Sequence, residues 1–263
     1  APLTAAAIGQ QLGLADGELH TITGTKWDQL TAEQKQKAAV KHQIFARTTP
    51  ENKLEIIEAL QQSGKVTAMT GDGVNDAPAL KKADIGVSMG IKGTDAAKEA
   101  SDMILTDDNF ATLATAIKEG RRIYDNIKKS ILFLLPTSFA EGLIIFLTIF
   151  FNQEMPLQAT QLLWINLVSA ITIQFAFIFE PGASDLMKRP PRKSNSRLIS
   201  GREMLQLGYV SLLIALVGLG AYEMLIATGA SATLASTAMV NIIVFSKIFY
   251  LFNIRTEESA FSS

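Results

Sequence analysis

Residues 131–151, ILFLLPTSFAEGLIIFLTIFF, contain a single ionisable side chain. Coiled at 1.5 Å per residue, such a stretch covers roughly 30 Å, the thickness of bilayer hydrocarbon. LQATQLLWINLVSAITIQFAFIF (157–179), LQLGYVSLLIALVGLGAYEMLIA (205–227) and 231–254 repeat the pattern. A backbone placed in lipid must satisfy every N–H and C=O within itself, and for these lengths that means helices. Four buried core helices of a soluble domain are the alternative, but they would leave too little polar surface to cover them. The second half of the chain therefore reads as an α-helical transmembrane bundle (130–255) with a short tail at 256–263.

The 48% hydrophobic content averages over two unlike halves, because the chain up to about Lys129 is mixed and charged. There, QIFAR (43–47), KVTAM (65–69), DIGVSM (84–89) and DMILT (102–106) are short apolar runs bounded by turn or cap residues. Helical patterns fill 50–62, 76–83 and 94–100. Strands alternating with helices predict a parallel sheet with covered faces. Thr48-Thr49-Pro50-Glu51 reads as a helix start, with a threonine cap, proline in the first turn and Glu51 three residues after Thr48. Helix 110–129 then leads into the first span with no proline or evident turn. A net charge of −1 leaves no nucleic-acid footprint, and the absence of cysteine excludes disulfides and thiolate metal ligands.

TGDGVNDAPALKKADIGVSMG (70–90) follows the apolar run VTAM and sets Asp72, Asn75 and Asp76 in a glycine-rich loop. In open parallel sheets ligands bind beyond the carboxyl ends of the strands. Gly71 and Gly73 would let the backbone approach a ligand or adopt positive φ. The two carboxylates suit Mg²⁺, a hard cation held by one or two carboxylates, waters and phosphate oxygens. Lys53, on the preceding helix, would add a point charge for the same phosphate. Gly-Asp-Gly and Asn-Asp are also ordinary turn formers; it is the length of the run after an apolar strand that favours a ligand site.

That run resembles the hinge motif of P-type cation-transporting ATPases, whose phosphorylation domain has a Rossmann-like, haloacid-dehalogenase-like fold. FARTTPENK (45–53) is similar to the family's FAR-x-x-P-x-x-K segment. The resemblance implies that 1–109 is the C-terminal part of a phosphorylation domain and 110–129 a stalk helix. It gives Asp72 to a catalytic Mg²⁺ with Asp76 in support, Lys53 to the transferred phosphoryl group, and Arg47 and Asn75 to the nucleotide (ATP) or phosphate. Phosphoryl transfer relies on positioning and charge neutralisation, which such residues supply. The family's phosphorylated aspartate lies in a DKTGT motif, and neither DKTGT nor the actuator TGE loop occurs here. Starting without Met and in mid-helix pattern, the chain reads as a C-terminal piece of a longer pump, inactive alone, whose partners are the missing upstream domains, lipid and the transported cation.

Lysine and arginine set the expected topology. Arg121, Arg122, Lys128 and Lys129 precede the first span. Lys188, Arg189, Arg192, Lys193, Arg197 and Arg202 fill the loop between the second and third, and Arg255 follows the fourth. The loops at 152–156 and 228–230 carry none. A multi-pass membrane protein with its soluble part cytoplasmic is expected, and the resemblance implies the plasma membrane.

Within the spans, Glu141 would cost about 2.5–3.5 kcal/mol if unpaired at mid-membrane, so it needs a partner or a task. Asn166, Ser169 and Thr172 recur every three residues, and with Pro136, Thr137 and Ser138 they would line an oxygen-rich cavity for a cation. Interhelical hydrogen bonding is the plainer use of such side chains. Pro136 is expected to kink or unwind the first span. QLLWINLV and RPPRKSNSRLISG resemble the calcium-pump-like branch of the type II pumps, which matches Glu141 and Asn166 to ion ligands. The branch's second-span aspartate falls on Ala170 and its last-span glutamate on Lys247, which makes Ca²⁺ a poor fit. Lys247 either snorkels to the headgroups or serves Glu141 as a built-in counter-ion. A truncated, non-catalytic membrane protein that regulates an intact pump is the alternative function. A membrane-anchored phosphatase of the same soluble fold would need a D-x-D or D-x-T nucleophile site, which is absent.

Overall fold

Trp27, fully buried, gathers Ile22, Ala38, Ala39, Ile56 and Ala59 around it and fixes the first core of the chain. A computed structural model describes residues 1–15, 17–151, 153–177, 182, 184–193 and 195–261, with side chains at 173, 174 and 252–261 left out. Asn152, residues 178–179 at the end of the second expected span, and the side chains of Arg255 and the tail therefore lie outside the described residues. One compact unit is built on Ala1–Ala116, the other on Ile117–Pro191 with Asn195–Ser263.

In the first unit, α1 (Pro2–Gln11), α2 (Gly24–Asp28), α3 (Ala32–Lys41), α4 (Pro50–Gln62), α5 (Ala77–Lys82) and α6 (Asp95–Ala100) alternate with five short strands. Strands β1 (Thr21–Thr23) and β2 (Ile44–Ala46) pair in parallel, and β3 (Ala68–Thr70), β4 (Ile85–Met89) and β5 (Met103–Leu105) form a second parallel sheet in that order. The α/β class expected from the sequence is thus observed, as two parallel sheets in place of one. Helix α4 spans the expected 50–62, but its N-cap is Thr49: the hydroxyl accepts from Asn52 N–H at 3.1 Å, while Asn52 Oδ1 accepts from Thr49 N–H at 3.0 Å. The capping box uses Asn52, so Glu51 takes no part in it. β3 forms at 68–70 where 65–69 was expected. Thr67 N–H and its hydroxyl bond the Asp84 Oδ2 at 2.8 and 3.1 Å, so a side chain takes the place of a main-chain acceptor there, while the Thr67 carbonyl still accepts from Ile85 N–H at 3.1 Å.

The second unit takes all but the first turns of a single helix, α7 (Ala111–Phe150), followed by α8 (Ala159–Ala176), α9 (Gly201–Ala227) and α10 (Ala232–Phe261). Three of them are long and apolar enough to cross a membrane, while α8 contains a shorter apolar stretch, Ala159–Thr172. All four contribute to one core, with Ala140 and Ile144 from α7, Ile165 from α8, Ala215 from α9, and Met239 and Ile243 from α10 nearly or wholly inaccessible to solvent. Pro136 is buried inside α7 without interrupting the helix, so the expected unwinding does not occur. α10 likewise continues through Phe261 beyond the expected end of the span near 254. Toward the start of the unit, Arg121 donates to the Leu186 carbonyl at 2.6 Å, Arg189 pairs with Asp125 at 2.9 Å, and Lys128 with Glu203 at 2.9 Å, which tie the 184–191 segment and the start of α9 to α7.

Candidate functional site

The loop that leaves β3 is held by its neighbours on both sides. Gly71 N–H donates to the Val87 carbonyl of β4 at 3.2 Å, and the Asp72 carbonyl accepts from Thr94 N–H, the N-cap of α6, at 2.9 Å. Asp72 Oδ1 accepts from Met89 N–H at the end of β4, 3.0 Å away. This arrangement turns one carboxylate oxygen inward to the sheet and fixes the side chain, leaving the other oxygen for a ligand.

Asp76 closes a 3-10 turn, Val74–Asp76, just before α5. Its Oδ2 accepts from Gly73 N–H at 3.1 Å and its Oδ1 from the Lys53 ammonium at 2.8 Å. Burial alone would raise this carboxyl. The Lys53 hydrogen bond, the Gly73 N–H and the positive charge of Lys53 outweigh it and hold Asp76 below the usual carboxylate range. Asp84, behind the loop, is lowered chiefly by the Thr67 backbone N–H, with the Thr67 hydroxyl adding to it.

The glycines serve a different end from the one expected. Neither Gly71 nor Gly73 has positive φ. A Cβ on Gly71 would lie 2.6 Å from Asp76 Cβ and 2.8 Å from Asp76 Cγ, whereas one on Gly73 would meet nothing closer than Asp76 Oδ2 at 3.6 Å. Gly71 makes room for the Asp76 carboxylate, and Gly73 is sterically free to be another residue.

Lys53 and Asp76 are therefore in contact, and Asp72 stands on the same loop with its side chain bonded to Met89 N–H. Arg47 and Asn75 are exposed and make no hydrogen bond to these three among the described residues. Arg47 holds φ 52°, a left-handed conformation unusual for a side-chain-bearing residue. A Cβ on Gly24 would sit 2.5 Å from the Arg47 carbonyl oxygen and 2.7 Å from Asn52 Oδ1, so Gly24 lets the Arg47 turn pack against α2. Sequence reasoning missed Gly24, Asn52, Met89 N–H and Thr94. Only Thr94-Asp95, a cap residue followed by an acid before a helical run, carried a readable signal. Among the described residues no group of three or more His, Asp or Glu side chains gathers as a metal cage. One open carboxylate oxygen beside a salt-bridged second carboxylate nevertheless fits Mg²⁺, which keeps waters and takes phosphate oxygens for the rest of its shell.

In the second unit the polar residues singled out by sequence divide. Glu141, Thr137, Ser169 and Lys247 are buried, while Ser138 and Asn166 are exposed. Steps of three residues advance a helix by 300°, so Asn166, Ser169 and Thr172 fan across about 120°, and along that arc Asn166 is exposed, Ser169 buried and Thr172 half-buried. The Ser169 and Thr172 hydroxyls donate to the Ile165 and Val168 carbonyls of their own helix, each at 2.7 Å. Lys247 does not snorkel: it is 4% exposed and its ammonium donates to Ser169 Oγ.

Comparison with known proteins gives both halves a counterpart. A haloacid dehalogenase-like hydrolase model matches residues 2–84, and a model of the C-terminus of cation-transporting ATPases matches 154–263. The "Probable cation-transporting ATPase F" of Mycobacterium tuberculosis is 42% identical over 257 residues, 96% of this chain and 28% of that protein. The "Calcium-transporting ATPase" of Bacillus subtilis is 39% identical over 263 residues, 98% of this chain and 29% of its own length. The "Calcium-transporting ATPase 1" of Schizosaccharomyces pombe is 47% identical over 205 residues, 75% and 23%. The chain thus spans somewhat over a quarter of the length of the first two relatives. With a hydrolase-type α/β unit, a charged loop at the end of a parallel strand and helices long and apolar enough to cross a membrane in one polypeptide, the chain belongs to the P-type cation-transporting ATPases.

Proposed function

We propose that the protein works as part of an ATP-driven cation pump, in which formation and hydrolysis of an aspartyl phosphate drive an ion across a membrane. The Lys53–Asp76 pair beside the fixed carboxylate of Asp72 carries this reading. Asp72 would hold Mg²⁺ through its open oxygen, and Asp76 would keep Lys53 aimed at the same place. Bound there, Mg²⁺ would neutralise phosphoryl oxygens as charge shifts during transfer. Lys53 would give the incoming phosphoryl group its second positive neighbour, with Arg47 and Asn75 exposed at the edge for nucleotide or phosphate. The nucleophilic aspartate would come from further domains of the same pump, since DKTGT is absent from these residues. The distribution of Lys and Arg supports a multi-pass membrane protein with the α/β unit in the cytoplasm, and the family resemblance suggests the plasma membrane.

Two assays test this. In the native-length polypeptide reconstituted in liposomes, Asp72→Asn is expected to cut cation-stimulated ATP hydrolysis by about 10²-fold or more; unchanged hydrolysis would refute the assignment. The 263-residue chain alone should form no acid-stable phosphoenzyme from labelled ATP, and covalent label on it would show that a nucleophile lies within these residues.

A further inference from the structure

The chain has two histidines, His20 and His42, and the α/β unit brings their rings together, with centroids 6.2 Å apart and planes at 75°. A core residue touches about 6–12 others, so random placement would join the two in roughly one chain of this size in twenty. Each stands just before a strand, His20 ahead of β1 and His42 ahead of β2, at the amino end of that parallel pair. Arg47 and α4 follow from its carboxyl end. The backbones are fastened there: the His20 carbonyl accepts from Gln43 N–H at 3.1 Å and Ile44 N–H at 3.3 Å, and His20 N–H donates to Gln43 Oε1 at 3.0 Å. His42 is the C-cap of α3, and its Nδ1 lies 2.8 Å from the Ala38 carbonyl oxygen. A carbonyl only accepts, so this bond puts a proton on Nδ1 and, in the neutral ring, the lone pair on Nε2. Phe45 backs the His42 ring at 6.4 Å and itself stands edge-on to the buried Trp27 at 6.0 Å. Among the described residues no carboxylate is bonded to either imidazole, and the His20 ring has no hydrogen-bond partner.

We propose that His20 and His42 form a binding site for a divalent transition-metal cation of the Zn²⁺ class. His42 is arranged as a metal-ligating histidine is: one ring nitrogen is committed to a backbone carbonyl, which fixes the tautomer and the orientation of the other. Imidazole nitrogen suits Zn²⁺, Cu²⁺ and Ni²⁺, whereas Mg²⁺ and Ca²⁺ take oxygen. Two imidazoles that share one ion at about 2.0–2.1 Å from each nitrogen set their centroids roughly 5 Å apart at a tetrahedral angle. The rings stand about an ångström wider than that, and rotation of two half-buried side chains closes the gap. Water fills the other positions, because no third His, Asp or Glu joins the pair among the described residues. The bound ion clasps the end of α3 to the entry of β1 and stabilises the unit by mass action. The site is separate from the oxygen ligands of the loop after β3, and it rests on no part of the pump reading.

The scarcity of histidine makes the test direct. In the full chain labelled with ¹⁵N on its histidine rings, NMR in detergent at about pH 8 reads the ring nitrogens of these two residues and no others. ZnCl₂ should move the Nε2 resonance of His42 and a ring nitrogen of His20 together, with one midpoint on the order of 10 µM, while MgCl₂ at about 1 mM moves neither. His20→Phe keeps a ring against His42 and removes the nitrogens. It should weaken the His42 response at least about tenfold, because the second ligand no longer binds intramolecularly, and His42→Gln should do the same to His20. Ring nitrogens that stay in place up to about 1 mM ZnCl₂ would overturn the proposal, whether or not either variant folds. So would two separate midpoints, or a His42 response that His20→Phe leaves unchanged, which would mean an adventitious ion only. The loop after β3 holds no histidine, so failure of the pump reading would appear in the ATPase assay and leave these resonances unchanged.

Discussion

The loop after β3 and the interior of the helical unit each set a lysine against a carboxylate, with opposite solutions to the same problem. Lys53 is 40% exposed in its side chain, and both oxygens of Asp76 are engaged, one by Lys53 and one by a backbone N–H. Lys247 is almost inaccessible, bonds a serine, and leaves an oxygen of Glu141 unpartnered. Where water can reach, charge is cheap and can be saturated with local donors. Where it cannot, each charge must be offset by a partner that the tertiary fold supplies, and anything left unpaired is conspicuous.

Double-mutant cycles would break or sharpen that contrast most strongly. Lys247→Met is expected to destabilise the helical unit by about 3 kcal/mol, because it strands Glu141. Adding Glu141→Gln should recover most of that loss, a large coupling measurable by unfolding in detergent. For Lys53→Met and Asp76→Asn the coupling should stay below about 1 kcal/mol, as for exposed pairs. Equal couplings at the two places would remove the distinction. Next in size, Gly71→Ala should cost about 1–3 kcal/mol by overpacking against Asp76 and weaken Mg²⁺ binding followed by calorimetry. Gly73→Ala should fall within about 0.5 kcal/mol.

Thr49→Ala should cost about 1 kcal/mol by removing the α4 cap that places Lys53, while Thr48→Ala should be near neutral in the same thermal melts. The smallest effect is the pH response of Asp76. Its carboxyl is lowered on folding, so its contribution is complete above the ordinary value, about pH 4, and is lost as pH falls through the lowered one. The stability gap between the Asp76 form and Asp76→Asn should therefore close on acidification in that window, and a gap that widened would contradict the Lys53 bond.

Much of this was legible in the residues. The helix 50–62 announced itself by Thr-Pro and apolar periodicity, the loop by its glycines and acids after an apolar strand, and the spans by length. The cap threonine was misread because Thr48 and Glu51 make the stronger written motif, while the structure uses Thr49 with Asn52. The strand start at 68 was hidden because the Asp84 side chain, seventeen positions away, replaces a main-chain acceptor at Thr67 N–H. Ser138 and Asn166 were grouped with Glu141 because spacing along one helix shows which residues share a side, but not which side meets another helix.

The sequence by itself determined what each stretch must become: helices where lipid-compatible runs leave the backbone no other partner, and a strand–loop–helix order that brings Lys53, Asp72 and Asp76 to one end of a sheet. Those outcomes rest on local periodicity and on neighbours a few residues apart. Only the tertiary structure decided that Gly71 is there to clear Asp76, that Met89 N–H fixes Asp72, and that Lys247 turns inward to Ser169. The last two are contacts between segments far apart in the chain, where burial and packing choose the partner; Gly71 and Asp76 are five positions apart, and it is the fold of their loop that brings them together.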